Sequence, residues 1–176
     1  ATGHEIHTSI AEINFDNADV IVDAMLGTGL DRNVEGDFLN AVEKINESNK
    51  PVVSLDIPSG LNANTGIPMG MAVKADLTVS FVGQKQGLYL GQSAEYRGKV
   101  IFDSLSLPPE LYHQVKMSSQ LVDVSCYSHL LPMRNRIAHK GNYGHVLVLG
   151  GDYGMAGAVF MCGQAAARSG AGLINI

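Results

Sequence analysis

Apolar residues along this chain come in short blocks separated by amphipathic or glycine-rich stretches, the pattern of strands and helices alternating in one sheet. Residues 19–26, DVIVDAML, form a nearly continuous apolar run interrupted by Asp23 and ended by Gly27-Thr28-Gly29. A run without polar alternation predicts a strand buried on both faces, as parallel strands are. Between 35 and 48 the residues Phe38, Leu39, Val42 and Ile45 recur at spacings of three, four and seven, which is one face of an amphipathic helix. PVVSL (51–55) is a second strand, ended by Asp56-Ile57-Pro58-Ser59-Gly60. Strand, helix and strand with short connections predict a parallel βαβ unit. A third strand is expected over 75–82 (ADLTVSFV), after a loop rich in Asn and Gly from 61 to 70, and a short fourth over 99–102. A parallel sheet needs cover on both faces, and a single crossover helix leaves one layer to come from outside these residues.

From 104 to 136 the pattern weakens around Pro108-Pro109 and Pro132, with at most a short strand over 121–124. This predicts a boundary: one domain over 1–106, a connecting region over 107–136 and the opening of a second domain over 137–176. That opening reads as a strand over 145–149 (HVLVL), a turn at Gly150-Gly151, an alanine-rich helix over about 156–169 and a strand starting at 173. Gly170 suits a left-handed helix cap, with Arg168 in the last turn.

The composition, 45% hydrophobic and 16% charged over 176 residues, belongs to a globular protein with core enough for one domain. The formal charge of −5 and the sparse basic residues Arg134, Arg136 and Lys140 argue against non-specific nucleic-acid binding. There is no apolar run of membrane-spanning length and no signal-peptide pattern in the first thirty residues, so no membrane partner is expected. Cys126 and Cys162, 36 positions apart, match neither a disulfide framework nor a metal pair; they read as buried small hydrophobes in a reducing, cytoplasmic compartment. The six histidines show no metal-ligand spacing, so no zinc site is expected.

Candidate chemistry gathers where strands end, because ligands of open α/β sheets bind at the carboxyl ends. Asp23 lies inside an apolar strand and Asp56 just after another. A buried carboxylate is costly unless paired, hydrogen-bonded or bound to a cation, and two of them close together would share a proton or hold a positive ion. Ser59, three residues after Asp56, offers a neutral oxygen ligand. The plainer reading makes Asp56 a turn residue and Asp23 a satisfied buried acid. Gly27-Thr28-Gly29-Leu30 could let backbone N–H groups surround a phosphate oxygen, and a tight turn accounts for it equally well. Six glycines from 141 to 157 imply close approach to a ligand or tight packing, and His139 stands at the head of this segment.

VDAMLGTGL (22–30), VVSLDIPSGLNANTG (52–66) and KADLTVSFVGQKQGLYLG (74–91) together resemble the YjeF amino-terminal domain, the NAD(P)H-hydrate epimerase. HKGNYGHVLVLGGDYGMAGAVFMCGQAAARSGAGLINI (139–176) resembles the opening of the YjeF carboxy-terminal domain, the ADP- or ATP-dependent NAD(P)H-hydrate dehydratase. The order is that of the fused repair enzyme. The resemblance implies a Rossmann-like, three-layer αβα domain followed by the start of a ribokinase-like α/β domain. It implies a potassium ion held by Asp23 and Ser59, and a hydrated nicotinamide nucleotide bound by Gly27, Thr28, Gly29, Leu30, Asp31, Arg32, Asn33 and Asp56. Asp56 would act as acid or base at the C6 carbinol carbon. In the second domain Ala156, Gly157 and Ala158 would line the hydrate pocket, with ADP or ATP and magnesium held mostly by parts outside these residues. The substrates implied are NADHX and NADPHX, and the full-length protein is expected to self-associate.

The family's GNNGGDG motif, which completes the potassium and substrate sites, is not among these 176 residues. The chain is therefore expected to be the middle of a longer enzyme and to have little activity by itself. Two alternatives stand beside this: a non-catalytic YjeF-type scaffold, and a small-molecule kinase of the ribokinase class, which accounts for 139–176 but not for DIPSG.

Overall fold

In the computed structural model, residues 6–7, 9–130 and 133–176 are described; Pro132, part of the expected boundary, lies outside them. The chain forms two compact units, residues 1–120 and 121–176.

The first unit is built on four parallel strands whose spatial order is their chain order: β1 (Ile21–Asp23), β2 (Val52–Leu55), β3 (Leu77–Phe81) and β4 (Lys99–Asp103). The α/β class expected from the alternating pattern is borne out. β1 is shorter than its apolar run and ends at Asp23. Helix α1 (Gly36–Glu47) connects β1 to β2 and buries Ala41, Val42 and Ile45; of the stripe that the periodicity predicted, Val42 and Ile45 are buried and Leu39 half-buried, whereas Phe38 in the first turn is exposed and borders a cleft instead. Val42 and Ile45 meet Ile21, Val52, Val73 and Ala75 in one core cluster.

The register aligns Asp23 with Ser54, Ser54 with Thr78 and Thr78 with Val100. These positions share the covered face of the sheet. The opposite face carries Val22, Leu55 and Ile101, exposed by 58%, 36% and 43%, so among the described residues no layer covers it. β2 passes to β3 through an ordered loop without a helix, and Ile57, Leu61, Ala63 and Ala72 of that loop pack with Leu88, from the segment after β3, in a second core cluster. Gly60 is what lets this loop lie close. Its φ is +93°, and a Cβ there would stand 2.1 Å from the Met71 carbonyl oxygen, so only glycine fits. After β4 a short helix α2 (Pro109–Tyr112) follows.

The second unit holds a parallel pair, β5 (His145–Leu147) and β6 (Leu173–Asn175), joined through a helix. The strand expected over 121–124 is absent. Asp123 there accepts a hydrogen bond from the Ser125 N–H and caps a helical turn, α3 (Val124–Tyr127). A side-chain cap satisfies the backbone locally and removes the need for a strand partner. The hydrogen bonds from Ser125, side chain first and then backbone, hold the exposed Asp123 carboxyl below its ordinary 3.8. The helix connecting β5 to β6, α4 (Ala156–Ser169), ends as predicted: Gly170 takes φ +114°, its N–H returns to the Ala166 and Ala167 carbonyls, and Arg168 lies in the last turn.

Both cysteines are exposed, contrary to the expectation of burial. Cys126 lies on α3, which buries no residue, and Cys162 on α4, where only Val159 and Gly163 are buried because a two-stranded sheet covers a narrow stripe. His139 serves the local backbone, its Nδ1 accepting from the Gly141 N–H at a 3₁₀ turn.

Candidate active site at the strand ends

Two clusters of polar side chains form at the carboxyl ends of β1, β2 and β3. The first is built on Asp23, which is 1% exposed. Its Oδ2 accepts from Ser54 Oγ and from the Ser59 backbone N–H, both at 2.8 Å. Its Oδ1 accepts from Ser59 Oγ at 2.5 Å and from the Met25 N–H at 3.4 Å. Ser59 Oγ also accepts from the Leu26 N–H at 2.8 Å and lies 3.3 Å from the Leu26 carbonyl oxygen. The DIPSG turn after β2 is thus fastened across to the loop after β1.

Every partner of Asp23 among the described residues is neutral. The oxygens gathered here, a carboxylate, a hydroxyl and a main-chain carbonyl, are hard donors suited to a hard cation. The Asp23 carboxylate is satisfied by four hydrogen bonds, and its charge meets no cationic side chain among the described residues.

The second cluster is built on Asp56. Its backbone lies in the left-handed region at φ +69°, which aspartate tolerates better than most residues. The Asp56 N–H donates to the Val79 carbonyl oxygen at 2.7 Å, continuing the β2–β3 ladder past Leu55. Its side chain turns toward β3, where Oδ1 accepts from the Phe81 N–H at 3.1 Å and from the Lys85 ammonium. Lys85 also donates to the Phe81 carbonyl oxygen at 2.9 Å. Asp23 and Ser59 are therefore brought together, whereas no hydrogen bond among the described residues links Asp23 to Asp56; each carboxylate has its own partners.

Beside the first cluster the chain from Met25 to Phe38 lines a cleft of about 580 Å³. Gly27, Gly29, Leu30, Asp31, Arg32 and Asn33 all border it, and Thr28 and Asp56 do not. A Cβ built at Gly27 or at Gly29 meets nothing within 4 Å, and neither has a positive φ. The chain does turn here, the Leu30 N–H donating to the Gly27 carbonyl oxygen at 3.4 Å, and the space beside both glycines is open, so the turn and the room for a close-approaching ligand occur together.

The glycines from 141 to 157 divide differently. Gly144, Gly151 and Gly154 have positive φ, and a Cβ at Gly151 would press on Val159 at 3.0 Å, so conformation and packing account for these three. Gly157 is open. Ala156 borders a shallow cleft in the second unit with Gly150, Asp152 and Phe160, whereas Gly157 and Ala158 do not line it.

Two participants escape a reading of the sequence. Ser54 interrupts PVVSL at the same alternation as Val52, a signal that it shares the buried face with Asp23. Lys85 lies in an unremarkable QKQ stretch, and only the fold brings its ammonium to Asp56.

A cleft and charged side chains at the carboxyl ends of the strands of an open parallel α/β sheet lie where such sheets bind small-molecule ligands. Residues 1–87 match the family described as YjeF-related protein N-terminus. Over 158 residues the chain is 47% identical to the bifunctional NAD(P)H-hydrate repair enzyme Nnr of Coxiella burnetii, covering 90% of this chain and 32% of that protein. Over 174 residues it is 40% identical to Nnr of Escherichia coli (99% and 33%), and over 166 residues 37% identical to the bifunctional NAD(P)H-hydrate repair enzyme of Leishmania braziliensis (91% and 29%). Residues 1–87 belong to the YjeF-related family, and the chain spans about a third of the length of these curated relatives.

Proposed function

We propose that the first unit carries the epimerase site of an NAD(P)H-hydrate repair enzyme, interconverting the R and S hydrates at C6 of the nicotinamide ring. The observation that carries this reading is the pair of open glycines, Gly27 and Gly29, in a cleft beside the buried Asp23–Ser59 cluster. Glycines with open space beside them leave room for a ligand's phosphate against the main chain. The relatives' names supply the substrate class, NADHX and NADPHX.

In this reading Asp23 and Ser59 hold a potassium ion, which supplies positive charge beside the bound nucleotide. Thr28, Leu30, Asp31, Arg32 and Asn33 position the substrate, and Arg32 gives the loop a cation for its phosphates. Asp56 is the acid or base at the C6 centre, a partly exposed carboxylate with one oxygen engaged.

The second unit belongs, on the same reading, to the ADP- or ATP-dependent dehydratase that returns the S hydrate to NAD(P)H, with Ala156, Gly157 and Ala158 beside the hydrate. Among the described residues no three His, Cys, Asp or Glu side chains group around a metal position, so neither magnesium nor the nucleotide is assigned a holder here. Among the described residues no helix is long and apolar enough to cross a membrane. The setting proposed, a cytoplasmic one with self-association of the full-length protein, comes with the family reading.

The test is to incubate the full-length protein containing this chain with purified R hydrate in potassium buffer and follow the S hydrate by chromatography. Equilibration faster than in the protein-free control supports the reading, and an unchanged rate removes it.

A further inference from the structure

We infer that Lys85 is a positioning residue for Asp56, fixing one carboxylate oxygen so that the other is presented to the reacting centre. The inference rests on the epimerase reading and adds to it a residue from a third element, the loop after β3.

The geometry is specific to this role. Asp56 Oδ1 receives two donors, the Phe81 N–H at 3.1 Å and the Lys85 ammonium, while Oδ2 has no hydrogen-bond partner among the described residues. Lys85 is itself held, because its ammonium also donates to the Phe81 carbonyl oxygen at 2.9 Å. The backbone of Phe81 thus grips both members of the pair, one through its N–H and one through its C=O. A flexible four-carbon side chain is in this way converted into a fixed charge, and the carboxylate cannot rotate without giving up two donors at once.

The Lys85 and Asp56 side chains keep 17% and 29% of their surface exposed, so both charges still reach solvent. Asp56 also keeps an uncommon positive φ at the end of β2, a conformation that persists where the surroundings over-determine it and that concentrates at functional sites. A carboxylate offered through one free oxygen is what proton exchange at a single carbon requires, since the acid or base must be aimed as well as present.

The experiment uses the full-length protein: wild type, Lys85→Met, which keeps the stem and removes the charge, Lys85→Arg, Asp56→Asn and the double variant Lys85→Met/Asp56→Asn. Steady-state epimerisation is measured with thermal unfolding as a control. Lys85→Met is expected to lower kcat by about 10- to 100-fold, the loss that misplacing a reactive group produces, with KM changed by less than about threefold. Lys85→Arg is expected to recover part of kcat, because a guanidinium can still donate to Oδ1. The double variant is expected to be no slower than Asp56→Asn alone, since Lys85 acts through Asp56. A folded Lys85→Met protein with kcat within about twofold of wild type overturns the inference, and so do losses that multiply in the double variant. Should Lys85→Met fail to fold, Lys85→Arg with unaltered folding and no more kcat than Asp56→Asn overturns it equally. A wild-type protein that does not epimerise the hydrate removes the epimerase reading itself and the inference with it, a result distinct from both.

Discussion

Ser59 Oγ lies 2.5 Å from Asp23 Oδ1, joining the turn after one strand to a carboxylate buried at the end of its neighbour. The pair is a joint in the fold and the core of the candidate site, because the same hydroxyl accepts from the Leu26 N–H at the root of the glycine loop. Changes here are expected to be felt as stability first. Asp23→Asn sets an amide N–H₂ against donors that now face an oxygen, and a buried unsatisfied group costs about 1–3 kcal/mol. Denaturant titration of the full-length protein should show a loss of about 2–3 kcal/mol for Asp23→Asn and about 1–2 kcal/mol for Ser59→Ala.

Glycines should divide by what a methyl group would meet. Gly60→Ala drives a Cβ to 2.1 Å from the Met71 oxygen at a backbone φ of +93°, so a loss of more than about 3 kcal/mol and little soluble protein are expected. Gly27→Ala and Gly29→Ala meet no atom of the chain within 4 Å, and their stability should stay within about 0.5 kcal/mol of wild type. Their KM for the hydrate should nevertheless rise, which steady-state kinetics reads directly.

Asp56→Asn preserves what the fold asks of this position. Asparagine accepts the left-handed backbone, and its side-chain oxygen can still receive the Phe81 N–H. The variant should therefore unfold near the wild-type temperature while epimerisation falls by about 10²- to 10⁴-fold, the usual contribution of a general acid or base.

Potassium should stabilise the protein by mass action if Asp23 and Ser59 hold it. At ten times the dissociation constant the gain is about 1.4 kcal/mol, seen as a higher unfolding temperature in potassium chloride than in choline chloride at equal ionic strength. Asp23→Asn should abolish the difference.

Much of this architecture was legible in the chain. The βαβ unit, the Gly170 cap and the Val42–Ile45 part of the α1 stripe follow from periodicity and local backbone chemistry, and the structure places them as expected, whereas Phe38 is exposed. Asp23 was legible because a charge within an apolar strand needs a partner, and its proximity to Ser59 follows from both lying at the ends of adjacent strands. What was not legible depends on side-chain choice at a distance. Lys85 reaches Asp56 across 29 positions, and no local pattern distinguishes it from a solvated lysine. The strand expected over 121–124 failed because an Asp-x-Ser cap competes with extended structure over so short a span. The cysteines were misplaced because apolar character gives burial only where a sheet is wide enough to cover the helix face.

The central claim is that the loop after β1, the Asp23–Ser59 cluster and Asp56 together form a hydrate epimerase site. The most direct test is the rate at which the full-length protein equilibrates purified R hydrate with its S epimer, measured for wild type and for Asp56→Asn with equal folded fractions. Rapid equilibration by wild type and a loss of about 10²-fold or more in the variant is the result expected. Equal rates for the two proteins, or a wild-type rate no greater than that of the hydrate alone, would contradict it.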